Sequence, residues 1–123
     1  MSSQSGVLKN QPYSFKTRFQ NEDGQTGTNP EELIAAAHAA CFSMALSNLL
    51  AEGDFSPESV DTRATLTMTM EGGPKITAIH LKVEAKVPNL DADKFQAFAE
   101  DAKANCPVSQ VLTADISLEA ALS

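Results

Sequence analysis

The sequence predicts an α+β fold in which antiparallel sheets gather around one long buried central helix. Three features carry that expectation. Residues 33–51 form an alanine-rich, almost wholly apolar stretch behind a compact helix start. Residues 60–70 and 79–87 alternate apolar and polar side chains on either side of a Glu71-Gly72-Gly73-Pro74 turn. A second helical period over residues 91–104 is followed by a last alternating segment, residues 116–122. At 123 residues the chain fits one domain that can bury a sizeable core.

The elements follow in order. The first dozen residues are polar and carry no strong signal. From Tyr13 to Phe19, the residues Tyr13, Phe15, Thr17 and Phe19 alternate with Ser14, Lys16 and Arg18, the period of a strand with Arg18 off its apolar face. Asn21 to Gly27 then reads as a polar loop. In Thr28-Asn29-Pro30-Glu31-Glu32, Thr28 or Asn29 can accept from the unpaired amides of a first turn, and Pro30 suits the first helical position. Both glutamates sit where the helix dipole favours negative charge. This helix is expected to run to about Glu52 and stop at Gly53. Its surface, apolar nearly all round, predicts burial on every side, by its own chain or by a second subunit.

Val60, Thr62, Ala64, Leu66, Met68 and Met70 face one way on the next strand; Ile79, Leu81, Val83, Ala85 and Val87 do so on its partner. An antiparallel hairpin with one wet face follows. Phe95, Phe98, Ala99 and Ala102 have the spacing of a one-sided helix, Pro107 opens a short helical turn through Leu112, and a strand closes the chain.

Composition excludes several functions. A net charge of −7 is wrong for phosphate backbones or anionic lipid, so neither nucleic acid nor a membrane is an expected partner. The apolar run is broken by His38, Ser43, Ser47 and Asn48, which suits a soluble core helix better than a membrane span. The first residues carry neither positive charge nor an apolar core of a secretory signal. The expected compartment is therefore the cytoplasm, where paired thiols serve redox or metal chemistry more often than structure.

Two cysteines, Cys41 and Cys106, are the candidate chemical groups. No Cys/His spacing forms a zinc finger or ribbon, so no metal is expected. Cys41 lies mid-helix, where a free cysteine also serves as a small hydrophobe. Cys106 stands before Pro107, at or beside the cap of a short helix, where amides favour a thiolate. An ordinary thiol, with a pKa of ~8.5, is only a few per cent ionised at neutral pH. Lowering that pKa by about 2 units needs about 2.7 kcal/mol. A capping cysteine without reactivity fits the same position. His38, three residues before Cys41, offers a Cys-His pairing or a core histidine. Arg63 and His80 fall on wet faces and read as solvated.

The segment Thr28-Asn29-Pro30-Glu31-Glu32-Leu33-Ile34-Ala35-Ala36-Ala37-His38-Ala39-Ala40-Cys41-Phe42-Ser43-Met44-Ala45-Leu46-Ser47 resembles the signature helix of the OsmC/Ohr superfamily. Asn105-Cys106-Pro107-Val108-Ser109-Gln110-Val111-Leu112 resembles its second cysteine motif. Ser5-Gly6-Val7-Leu8, Gln11-Pro12-Tyr13 and Thr17-Arg18-Phe19 are similar to the OsmC branch, named for osmotically inducible protein C. The resemblance spans essentially the whole chain. It implies an OsmC-like fold over residues 1–123 as a single domain, in an intertwined homodimer with sites at the subunit interface and no cofactor. The family's further strand pair, ahead of Ser5, is expected to be missing.

The resemblance also implies a thiol-dependent peroxidase acting in stress defence. Cys41 is then the peroxidatic thiol, Cys106 the resolving thiol, Arg18 the cation that steadies the thiolate and Glu31 the partner of Arg18. The substrate is an organic hydroperoxide, with hydrogen peroxide a second candidate, and the reductant an external dithiol of lipoyl type. Ten helical positions separate Glu31 from Cys41, about 15 Å along one straight helix. Either that helix breaks early or Glu31 and Arg18 serve the Cys41 of a partner subunit; the second is expected. A stress-induced binding protein with structural cysteines, or a redox sensor, is the competing class. Thiol loss under hydroperoxide excludes the binding protein, and slow turnover marks the sensor.

Overall fold

The computed structural model describes residues 1–13 and 27–123. Most of the expected strand Tyr13–Phe19, Arg18 included, and of the loop 21–27 lies outside them. The described elements are α1 (Pro30–Glu52), β1 (Ser59–Thr69), β2 (Lys75–Lys86), α2 (Ala92–Asn105), α3 (Pro107–Val111) and β3 (Asp115–Leu122). Two compact units are delimited, Met1–Ile34 and Ala35–Ser123.

In the first unit the main chain near residue 12 runs beside the start of α1. Tyr13 and Thr28 form a parallel bridge, and Pro12 O accepts from Thr28 N at 3.0 Å. Gly27, at φ 136°, lies so close that an added Cβ would stand 2.7 Å from Pro12 O; only glycine fits there. The helix start is the expected one: Asn29 Oδ1 accepts from Glu32 N at 2.8 Å, and Thr28 Oγ1 donates to Glu32 Oε2 at 2.7 Å.

The second unit is a sheet with helices against one face. Strand β2 is central, in the order β1-β2-β3. Its alternate residues Ile79, Leu81, Val83 and Ala85 are buried, whereas the inward residues of β1 and β3 are only half-buried, as edge positions are. Phe42, Leu46 and Leu50 of α1 and Phe95, Ala99 and Ala102 of α2 complete the core. Ser43 Oγ on α1 lies 2.6 Å from Thr62 Oγ1 on the inward face of β1. The opposite face is wet, with His80 Nδ1 2.7 Å from Ser117 Oγ and Lys82 paired to Glu119.

One expectation is corrected. The sheet is mixed: β1 and β2 are antiparallel, but β3 lies parallel to β2. Residues 87–114, including α2 and α3, supply the long crossover that a parallel pair requires. Within the single chain the central helix is covered along one face. Ala35, His38, Phe42, Leu46 and Leu50 form one buried stripe, while Met44 is 73% exposed. With alanine at so many positions, every face is apolar and only packing decides which one is covered.

The end of α1 is also informative. Phe55 N donates to Leu50 O at 2.9 Å and Asp54 N to Ala51 O at 3.0 Å, the paired bonds of a Schellman motif. The left-handed residue is Asp54, φ 66°. Gly53 is closely approached: a Cβ there would meet Phe98 Cζ at 3.0 Å, a tight contact, and the Phe98 ring stands edge-on to Phe55 with centroids 6.0 Å apart.

Candidate two-cysteine site

The site lies where the middle of α1 meets the first turn of α3. Cys106 closes α2 and caps α3: its N–H donates to Ala102 O, and its φ and ψ of −67° and 139° are extended. Proline follows as the first residue of α3. The next two amides, Val108 and Ser109, have no partner inside so short a helix and turn to sulfur instead. Ser109 N donates to Cys106 Sγ at 3.4 Å, and the Val108 amide lies near enough to Cys41 to favour its thiolate.

Both cysteines are free, Cys41 half-buried and Cys106 buried. The Cys106 thiol lies near enough to Cys41 to act on its titration. The two groups are 65 positions apart in the chain. Burial pushes the Cys41 thiol above its ordinary value; the Val108 amide opposes this, and the adjacent Cys106 thiol adds to it. Among the described residues no cation acts on Cys41. Arg18, expected to do so, lies outside the described residues. Glu31 occupies the first turn of α1, a helix that runs from Pro30 to Glu52.

Sequence reasoning did not single out Ser109. Its Oγ lies 3.0 Å from Cys106 Sγ and 2.8 Å from His38 Nε2. The available signal was local: a cap residue and the residue three positions on commonly bond, and Cys106 and Ser109 have that spacing. His38 bonds Ser109 rather than Cys41. Arg63 and His80 are exposed, as expected. No group of three or more potential metal ligands occurs among the described residues.

His38 is 0% exposed, and burial lowers its pKa below the ordinary 6.5. The unfolded chain therefore takes up a proton near that pH while the folded chain remains neutral. This contribution to stability is complete above 6.5 and is lost as pH falls towards the folded pKa. The urea midpoint is expected to drop between about pH 7.5 and pH 5.5, and to drop less in His38→Gln.

The protein is thus an α+β scaffold that carries two free cysteines near one another. The chain belongs to the OsmC-like family: residues 22–121 match the family described as OsmC-like protein. It is 55% identical over 120 residues to Peroxiredoxin OsmC of Escherichia coli (strain K12), covering 97% of this chain and 82% of that protein. The crystal structure of the organic hydroperoxide resistance protein OhrB of Bacillus subtilis superposes with a TM-score of 0.74 at 30% identity, covering 99% of this chain and 87% of that one. A structure of an organic hydroperoxide resistance protein OsmC from Legionella pneumophila gives 0.72 at 26% identity, covering 99% and 86%.

Proposed function

We propose that this protein is a cysteine-based hydroperoxide reductase in which Cys41 attacks the peroxide and Cys106 resolves the product. Membership of the OsmC-like family and identity to a protein named Peroxiredoxin OsmC support a peroxidase role in stress defence. The observation that carries the finer reading is that the two free thiols lie near enough for Cys106 to push the Cys41 thiol up.

The Cys41 thiolate attacks the outer peroxide oxygen; the O–O bond breaks and the alkoxide takes a proton to leave as alcohol. Cys41 is left as a sulfenic acid, Cys106 displaces its oxygen as water, and a disulfide forms. An external dithiol, of lipoyl type in our reading, restores both thiols by exchange. The electrons come from sulfur throughout, so the cycle requires no prosthetic group. Organic hydroperoxides are the assigned substrate, with hydrogen peroxide as a second.

Because burial raises the Cys41 thiol, activation requires a cation, and we assign that role to Arg18, held by Glu31. With α1 continuous, these two residues of one protomer are assigned to the Cys41 of its partner. The apolar face of α1 left uncovered in the single chain, around Met44, supports such a homodimer. We place the protein in the cytoplasm, where reducing conditions keep both thiols free, and treat residues 1–123 as one OsmC-like domain.

The test is a thiol count. Reduced protein treated with cumene hydroperoxide should lose both free thiols and regain both with dihydrolipoamide. Unchanged thiols would leave a binding protein with structural cysteines; oxidation with slow turnover would leave a sensor.

A further inference from the structure

Ser109 and His38 take no part in the reaction just described, yet both are held against it. His38 lies one turn before Cys41 on α1, fully buried. Its Nε2 is 2.8 Å from Ser109 Oγ, which is 3.0 Å from Cys106 Sγ. Its Nδ1 is buried and has no hydrogen-bond partner among the described residues. Buried polar groups are as a rule bonded, and a core histidine is commonly fixed through Nδ1 to a carbonyl. Among the described residues that anchor is missing, and the bond the ring makes leads towards the second sulfur.

We propose that His38, acting through the Ser109 hydroxyl, is the proton acceptor that readies Cys106 to close the disulfide. The proposal rests on the roles of Cys41 and Cys106 given above. A hydroxyl both donates and accepts, so Ser109 can pass a proton without holding one. The Cys106 S–H proton moves to Ser109 Oγ as the serine's own proton moves to His38 Nε2, leaving a thiolate and an imidazolium. The thiolate electron pair then attacks the sulfur of the Cys41 sulfenic acid; the S–S bond forms and the S–O bond breaks. The departing hydroxide takes the proton back from His38 through Ser109 and leaves as water. One sulfenic acid and one thiol give one disulfide and one water, with no oxidant beyond the hydroperoxide.

Three features suit the relay. Burial keeps the imidazole neutral, so it has a nitrogen free to accept. With no carbonyl among the described residues fixing its tautomer, Nε2 can accept in one step and donate in the next. The Ser109 amide, 3.4 Å from Cys106 Sγ, is placed to receive the thiolate that the transfer creates. Ser109 touches the reacting sulfur and is a catalytic residue; His38 works through it and is a positioning residue.

The test follows both half-reactions in the reduced full-length chain after one equivalent of cumene hydroperoxide, with dimedone trapping the sulfenic acid and mass spectrometry counting the disulfide. Ser109→Ala and His38→Gln should form the sulfenic acid at the wild-type rate. Each should close the disulfide on the order of 100-fold more slowly, so that the dimedone adduct accumulates. Ser109→Thr keeps the hydroxyl and should recover most of the rate. His38→Gln can still bond Ser109 but cannot accept a proton, so its slow closure separates transfer from placement. Wild-type closure in either Ser109→Ala or His38→Gln overturns the proposal, and slow closure in Ser109→Thr does so by pointing to packing. If His38→Gln does not fold, the Ser109 pair decides. If the wild-type chain itself forms no Cys41–Cys106 disulfide, the two-cysteine reading has failed and this inference falls with it.

Discussion

Cys41→Ser is expected to abolish peroxide consumption, lowering it by at least about a thousandfold, because a serine hydroxyl at this position has neither the acidity nor the nucleophilicity of a thiol. The substitution exchanges one atom on a half-buried side chain in the middle of α1, so the fold should survive it. Circular dichroism and the urea midpoint are the controls. The matching change at Cys106 should have a different signature, with one equivalent of peroxide consumed and a sulfenic acid left on Cys41. Residual turnover in Cys41→Ser above a few per cent would move the attacking thiol to Cys106.

Mixed dimers should recover what neither parent has. Cys41→Ser and Arg18→Ala homodimers are each expected to be inactive. A heterodimer made from them has one site carrying both changes and one site carrying none. Random exchange gives half heterodimers with one working site each, so activity should return to about a quarter of wild type. Absence of recovery would place Arg18 and Cys41 in the same protomer. The Arg18→Ala homodimer should also show why it is inactive. With the cation gone, the burial that raises the Cys41 thiol is unopposed except by the Val108 amide. Alkylation of Cys41 by iodoacetamide should then require higher pH than in the wild type, because a raised pKa keeps the thiol protonated further into the alkaline range.

Local chemistry was legible in the sequence. Asn29 and Pro30 announce the start of α1, alternation reveals β1 and β2 with their buried and wet faces, and Pro107 marks α3; each depends only on neighbours along the chain. The direction of β3 was not legible, because a period of two says which face a residue occupies and nothing about which way the strand runs. Nor could an alanine-rich helix disclose which of its apolar faces the chain would cover. At the site, the pair Cys41 and Cys106 was recoverable from a family resemblance, and the bond from Ser109 to Cys106 from its spacing. The bond from His38 to Ser109 joins residues 71 positions apart, and no local pattern contains it.

Cys106 ends one helix and begins the next, and the same sulfur that caps α3 is the one assigned to bond Cys41. In the cycle we propose, the sulfur that receives the Ser109 amide at 3.4 Å is also the one that must turn to Cys41. Closing the disulfide would therefore pull on the junction of the two helices, at the residue where one ends and the other begins.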